Sequence, residues 1–96
     1  MVPTLLPGDR LLVDRRAYRD RLPEVGEIVV LLDPEEPARW LVKRVAAVDA
    51  RARSVEVRGD AADAARDSRR FGPVPARSVV GRVYRRYLPA DRRREF

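Results

Sequence analysis

The chain has 96 residues and a mass of 11.0 kDa, enough for one domain with a single modest core, so a multidomain enzyme is excluded. It carries 21 basic and 15 acidic residues, a formal net charge of +6, and neither histidine nor cysteine. Histidine acid–base catalysis, histidine or thiolate metal sites, disulfides and cysteine nucleophiles are therefore excluded. With 45% hydrophobic residues, the composition favours a folded globular chain over a disordered one.

The pattern of prolines, glycines and short apolar runs predicts an all-β domain. Eight prolines and five glycines divide the chain, and no segment keeps a helical period. Residues 15–22 are a polar connection with room for one helical turn, and residues 58–77 are predicted to be a loop. The predicted strands, in chain order, cover residues 10–13, 27–32, 40–48, 54–57 and 78–87, the fourth forming a hairpin with the third.

The third predicted strand carries Lys43, the one lysine among the 21 basic residues. Strict alternation of side chains would place Trp40, Val42, Arg44, Ala46 and Val48 on one side, and Leu41, Lys43, Val45 and Ala47 on the other. An ammonium group among aliphatic neighbours is driven toward its uncharged form, which can act as a base where arginine cannot. The alternative is an ordinary lysine whose stem lies on the strand while its charge reaches water.

Four short sequence motifs, in a particular order along the chain, bear on function. They are Met1-Val2-Pro3-Thr4-Leu5 with Pro7-Gly8-Asp9, then Val42-Lys43-Arg44-Val45, then Gly59-Asp60 with residues 67–74 beginning Asp67-Ser68-Arg69, and finally Gly81-Arg82. In this order they resemble the serine–lysine peptidases related to type I signal peptidase. The small size, Val2 and the ending at residues 81–89 look most like the short members that mature nickel-type superoxide dismutase.

The resemblance implies a serine endopeptidase that removes a leader from a precursor polypeptide. In the family, a serine just before the motif's methionine attacks the peptide carbonyl, and an uncharged lysine, here Lys43, accepts its proton. Hydroxyl, amine and backbone donors suffice, so no cofactor and no metal are expected. The implied fold is a single signal-peptidase or LexA-like coiled antiparallel β domain spanning residues 1–89, followed by a basic, solvated tail at residues 90–96.

The resemblance also implies a substrate groove beside Lys43. Met1, Val2 and Pro3 would form one wall, and the strand segment with Leu41 and Val42 would form the other. Relatives bind an extended substrate there by strand addition.

A loop is expected to support the lysine from behind. The residues that match this role are Gly59, Asp60, Asp67, Ser68 and Arg69. We expect Asp67 and Arg69 to pair and Ser68 to be hydrogen-bonded nearby. Many relatives carry an asparagine and a serine where this chain has Ala61 and Ala65, so Lys43 lacks one expected orienting partner unless Ser68 or water replaces it.

The sequence departs from the family at the nucleophile, because the serine position precedes Met1. We therefore expect the 96-residue chain to be inactive. We also expect that the start codon was assigned too far downstream, so that an in-frame serine codon lies directly before the Met1 codon. Among other hydroxyls, Thr4 is expected in a structural turn, Ser54 on a solvent-facing strand position and Ser68 in the supporting loop; none is predicted to be the nucleophile.

Location and alternative functions follow from the remaining features. The longest apolar run is residues 28–32, far below the roughly 18 residues of a membrane span, and no signal peptide is recognisable. A cytoplasmic protein is expected, or a membrane-associated one anchored by a segment upstream of Met1. The alternatives are a LexA-like self-cleaving domain and a non-catalytic basic module that binds nucleic acid through residues 85–94; specific nucleic-acid binding is not expected, since no recognition element accompanies these arginines.

Overall fold

The computed structural model describes residues 10–60, 67–88 and 94–96, with backbone only for residues 87–88. In these ranges the chain is dominated by one antiparallel sheet, which confirms the all-β prediction. The elements are β1 (Arg10–Asp14), β2 (Ile28–Leu32), β3 (Trp40–Asp49), β4 (Ser54–Arg58), α1 (Ser68–Phe71), β5 (Val74–Pro75), a 3₁₀ turn (Ala76–Ser78), β6 (Val79–Leu88) and β7 (Arg94–Glu95).

The strand order is β1-β6-β2-β3-β4-β5, and β7 pairs with β6. β2 lies near the middle of the sheet, between β6 and β3. Its sequence, Ile-Val-Val-Leu-Leu, is almost fully buried, as expected for an unbroken apolar run covered on both faces. β3 and β4 form the predicted hairpin, whose turn is closed by Asp49 accepting hydrogen bonds from the backbone N–H groups of Arg51 and Ala52.

Strict alternation along β3 is interrupted by a β-bulge at Ala46. Val45 pairs with Val57, whereas Ala47 pairs with Glu56, which leaves Ala46 as the extra residue. The interruption reverses the predicted side for the residues that follow. Val48, predicted to share a face with Val42, packs instead against the cluster that contains Val45. The predicted position of Val48 was therefore wrong, because a bulge shifts the alternation by one residue.

Two apolar clusters cover opposite faces of β2 and β3. The first, here called the lysine face, comprises Val29, Leu31, Val45, Val55, Val57, Val74 and Val79, with Tyr18, Leu41, Val48 and Phe71 packed against it. The second face is formed by Ile28, Val30 and Val83, with Leu11, Val13, Val42, Val80 and Phe96 packed against it. The small domain therefore builds its core on both sides of one sheet.

The predicted loop 58–77 contains short regular elements. Asp67 caps α1, since its side chain accepts from the backbone N–H of Arg69, and β5 pairs with β4. The polar connection 15–22 forms turns, with one backbone hydrogen bond from Arg19 to Arg16 and no helix. Propensity patterns miss such single-turn elements, because a cap and a few tertiary contacts stabilise them.

The chain's last described residues lie along the sheet. β7 pairs with β6, the backbone N–H of Phe96 donates to the Tyr84 carbonyl, and Arg82 donates to the Phe96 carbonyl at 3.0 Å. The Phe96 ring packs on the second face. Arg94 and Glu95 are exposed, in line with a solvated tail, but residues 94–96 are held on the sheet. Across the described ranges, no helix is long and apolar enough to cross a membrane.

Candidate active site around Lys43

Lys43 lies in the first half of β3, opposite Val29 of β2. Its neighbours two residues away, Leu41 and Val45, both contact the cluster on the lysine face, so the side chain of Lys43 projects from that face. The residue is only 9% exposed. The strand neighbours of Lys43 on this face are aliphatic, as predicted. The low exposure disfavours the alternative of a lysine whose charge reaches water.

The strand that carries Lys43 has an edge, at residues 40–42, that no described strand covers. Val45 exchanges backbone hydrogen bonds with residues 26 and 27 on the β2 side, each at 2.8 Å, so alternation directs the backbone groups of Val42 to the opposite edge. β4 covers that edge only from the Arg44–Arg58 pair onward. Of the strands in the described ranges, none pairs with residues 40–42 on this side.

The two residues predicted to line the groove contribute differently. The side chain of Leu41 packs on the lysine face, next to Lys43. The side chain of Val42 packs on the second face. Val42 therefore borders the open edge through its backbone and not through its side chain. Met1, Val2 and Pro3, the other predicted wall, lie outside the described residues, as do Thr4, Ala61 and Ala65.

Asp67 is the buried centre of the supporting loop, with no exposed surface. Its carboxylate accepts hydrogen bonds from the backbone N–H of Gly59 at 3.0 Å and of Arg69 at 2.9 Å, and from the Arg69 guanidinium at 2.6 Å. Burial opposes its ionisation, but the hydrogen bonds from Arg69 and Gly59 outweigh burial and lower the pKa of Asp67 to about 2. Asp67 therefore carries a stable negative charge that joins Gly59 to α1.

Ser68 is bonded to a strand of the lysine face. Its hydroxyl oxygen accepts a hydrogen bond from the backbone N–H of Val57 at 2.8 Å, and Val57 pairs with Val45. The expected pairing of Asp67 with Arg69 and the expected bond near Ser68 are both present. Ser54 is partly buried, so the expectation that it faces solvent holds only in part.

Arg44 makes contacts that the motif did not predict. Its guanidinium forms a two-point contact with Asp60, at 2.9 and 3.1 Å, and donates to the Gly26 carbonyl at 2.8 Å. The hydrogen bond with Asp60 raises the pKa of Arg44. The Arg44 side chain therefore links β3, one residue after Lys43, to the Gly59–Asp60 segment and to the turn before β2. Its place next to Lys43 in the motif was the available signal.

Comparison with known proteins agrees with this geometry. The family model described as signal peptidase, peptidase S26, matches residues 1–51. A mitochondrial ATP-independent inner membrane protease subunit, 1b, from Arabidopsis thaliana is 37% identical over 93% of this chain, and its subunit 1a is 28% identical over 95%. A probable signal peptidase I-1 from Synechocystis is 25% identical over 96%.

The chain spans 65% of the length of the 1b subunit, 67% of the 1a subunit and 68% of the Synechocystis protein. The family match covers 51 of 96 residues and includes the β3 segment with Lys43. On this match, the chain belongs to the peptidase S26 family of signal peptidases.

Proposed function

We propose that this chain is the β domain of a serine–lysine endopeptidase in which Lys43 is the general base. The observation that carries the proposal is the burial of Lys43 on an apolar sheet face, beside a strand edge that no described strand covers. Lysine is rarely buried without a functional or pairing reason. Membership in the S26 family supports the same assignment.

In the proposed reaction, a serine hydroxyl attacks the carbonyl carbon of the scissile peptide bond, and its proton passes to the uncharged Nζ of Lys43. The C–N bond then breaks as Lys43 returns the proton to the departing amine. Water hydrolyses the resulting ester by the same route, with Lys43 again accepting and then donating a proton. Lys43 must be uncharged at the start of each half-reaction, so the rate should rise with pH through the titration of its amine.

The substrate would bind as an extended strand against the open edge of residues 40–42. Backbone groups of Val42 supply hydrogen bonds there, and Leu41 supplies apolar contact on the side of Lys43. Arg44 with Asp60, and Asp67 with Gly59, would hold the supporting segment against β3.

The more specific parts of the proposal rest on the family blocks. The motif puts the nucleophile one residue before Met1, so the printed chain would lack activity and a chain extended by that serine would have it. The substrate would be a precursor polypeptide with a short leader, such as that of nickel superoxide dismutase. An in-frame serine codon immediately upstream of Met1 is the expected result, and a stop codon there would contradict the proposal.

The test compares peptide cleavage by the 96-residue chain and by a form extended upstream by the native codons. Activity is expected only in the extended form, and Lys43→Ala and Lys43→Arg in that form should each lower kcat by about 10³-fold, within the usual range for a lost general base. Arg19→Ala, at an exposed turn position, is the matched control. Retained activity in Lys43→Arg would exclude lysine as the base, since arginine stays protonated.

The nucleic-acid alternative rests on the arginines of residues 85–94, of which the structure describes the side chains of Arg85, Arg86 and Arg94. Arg85 pairs with Glu95 at 3.6 Å and residues 94–95 are held in the sheet, so these residues do not form a free basic arm. Binding to nucleic acid that weakens steeply with salt would revive this alternative, whereas a peptidase should show no such binding.

A further inference from the structure

A pocket with an unusual charge balance lies at the far end of the β3–β4 hairpin. Its volume is about 460 Å³, and it is bordered by three separate segments: the connection after β1, the hairpin turn, and β5 with the 3₁₀ turn. Three arginines line it, Arg21, Arg53 and Arg77, and none of its lining residues is acidic. Lys43 is not among the residues that line it.

Of the three guanidinium groups, that of Arg21 is the one neutralised by a described carboxylate. Arg21 forms an ion pair with Glu27 at 2.9 Å, and the Tyr18 hydroxyl donates to the same carboxylate at 3.1 Å. Burial, together with the charge of Glu27, raises the pKa of Tyr18, so its phenol stays protonated. Among the described residues, neither Arg53 nor Arg77 forms an ion pair. Two uncompensated positive charges therefore line one concave surface.

The backbone at Arg53 is held in an unfavourable conformation. Its φ is +52°, and it is the one described residue other than glycine with a positive φ. Its carbonyl accepts a hydrogen bond from the Ala76 N–H at 2.8 Å, which joins the hairpin turn to the segment that carries Arg77. Strained positions of this kind concentrate at binding sites, and asparagine or glycine would have fitted this turn with less strain.

We propose that this pocket binds a phosphate group. Two unpaired guanidinium forks match the charge of a phosphate monoester, about −1.5 to −2 at neutral pH, and present donors in the geometry that phosphate oxygens accept. A single carboxylate would leave one of the two charges unmatched. The phosphate could belong to a free anion or to a lipid headgroup, since both present the same oxygens.

The test measures binding of inorganic phosphate to the 96-residue chain by ³¹P NMR titration at constant ionic strength, with acetate as the singly charged comparison. Saturable phosphate binding with one site is expected, and acetate should bind much more weakly. Arg53→Gln and Arg77→Gln should each weaken binding about tenfold, the usual effect of losing one charge-assisted hydrogen bond. Arg51→Gln, in the same turn but outside the pocket lining, should leave phosphate binding unchanged.

Arg53→Gly separates binding from folding. It removes the guanidinium and also relieves the positive-φ strain, so the melting temperature should stay level or rise while phosphate binding weakens about tenfold, as in Arg53→Gln. Vesicles of phosphatidylcholine with and without phosphatidic acid identify the source of the phosphate. If the chain binds the vesicles that contain phosphatidic acid, and a variant with both Arg53→Gln and Arg77→Gln does not, the phosphate is that of a lipid headgroup. Absence of saturable phosphate binding, equal binding of acetate, or an equal loss in Arg51→Gln would overturn the proposal.

Discussion

The two faces of β2 and β3 differ in the kinds of side chain that they bury. On the second face, the cluster is aliphatic and is closed by the Phe96 ring. On the lysine face, a larger cluster of valines and one leucine surrounds a basic side chain that is 9% exposed. Burying an amine costs stability unless it is hydrogen-bonded or paired. In the function proposed above, the lysine face carries the general base as well as core packing, whereas the residues described on the second face contribute packing.

Substitution of Gly81 should produce the largest loss of stability, through the second face. A Cβ at this position would lie 2.6 Å from the Asp14 carbonyl oxygen and 2.9 Å from a Val13 methyl, so β1 and β6 must separate. Gly81→Ala is expected to lower the free energy of unfolding by about 3 kcal/mol in urea denaturation, at the upper end for overpacking. Gly72→Ala is the comparison: a Cβ there would meet no atom within 4 Å, so the loss should be limited to about 1–2 kcal/mol of backbone strain from a φ of +77° and a ψ of −170°.

Asp67→Asn should produce the next largest loss, on the side of the lysine face. It leaves the Arg69 guanidinium without its carboxylate, and Arg69 is 33% exposed, so water recovers part of the energy. We expect a loss of about 2 kcal/mol, below the full effect of breaking a buried pair. Glu35→Gln, which breaks an exposed pair with Arg70, should cost no more than about 0.5 kcal/mol. Equal effects of the two variants would contradict the structural role given to Asp67.

The same carboxylate should make stability depend on pH. The pKa of Asp67 is about 2 in the folded chain and 3.8 ordinarily, so its contribution is complete above about pH 4 and disappears as the pH falls toward 2. Denaturation at a series of pH values should show a decline across this window in the native chain. In Asp67→Asn the decline should be smaller, and an unchanged pH profile would disprove the assignment.

Truncation of the Phe96 ring tests how firmly the second face is closed. Phe96 is partly buried and packs against an aliphatic cluster. Phe96→Ala should therefore lower the free energy of unfolding by about 1 kcal/mol, less than for a fully buried ring. Glu95→Gln, at a carboxylate that is 75% exposed, is the control and should be neutral. No difference between the two variants would mean that the ring does not contribute to the core.

Lys43→Met should have the smallest effect on stability, and in the opposite direction. Methionine keeps an unbranched apolar stem and removes the buried amine, so the free energy of unfolding should be unchanged or higher by up to about 1 kcal/mol. Together with lost activity in the extended form, this result would show that Lys43 is retained for chemistry. A clear loss of stability would instead indicate a structural lysine.

Several features were readable from local patterns. The apolar run of β2, the alternation around Lys43 and the hairpin of β3 and β4 depend on neighbouring residues, and the structure has all three. The family blocks pointed to Lys43, Asp67, Ser68 and Arg69 before any contact was known. The bulge at Ala46 was not predictable, because it depends on how β4 pairs with β3 and not on the residues around it.

The sequence by itself determined the fold class, the family and the candidate base, because these follow from periodicity and from ordered motifs. Only the tertiary structure decided which residues meet: Arg44 with Asp60, Asp67 with Gly59, Phe96 with the second face, and the arginines from three segments around one pocket. The physical reason is the separation along the sequence over which each kind of interaction acts. Strand and turn preferences act over a few residues, whereas these contacts join residues between 8 and more than 50 positions apart, which only the complete packing of the chain brings together.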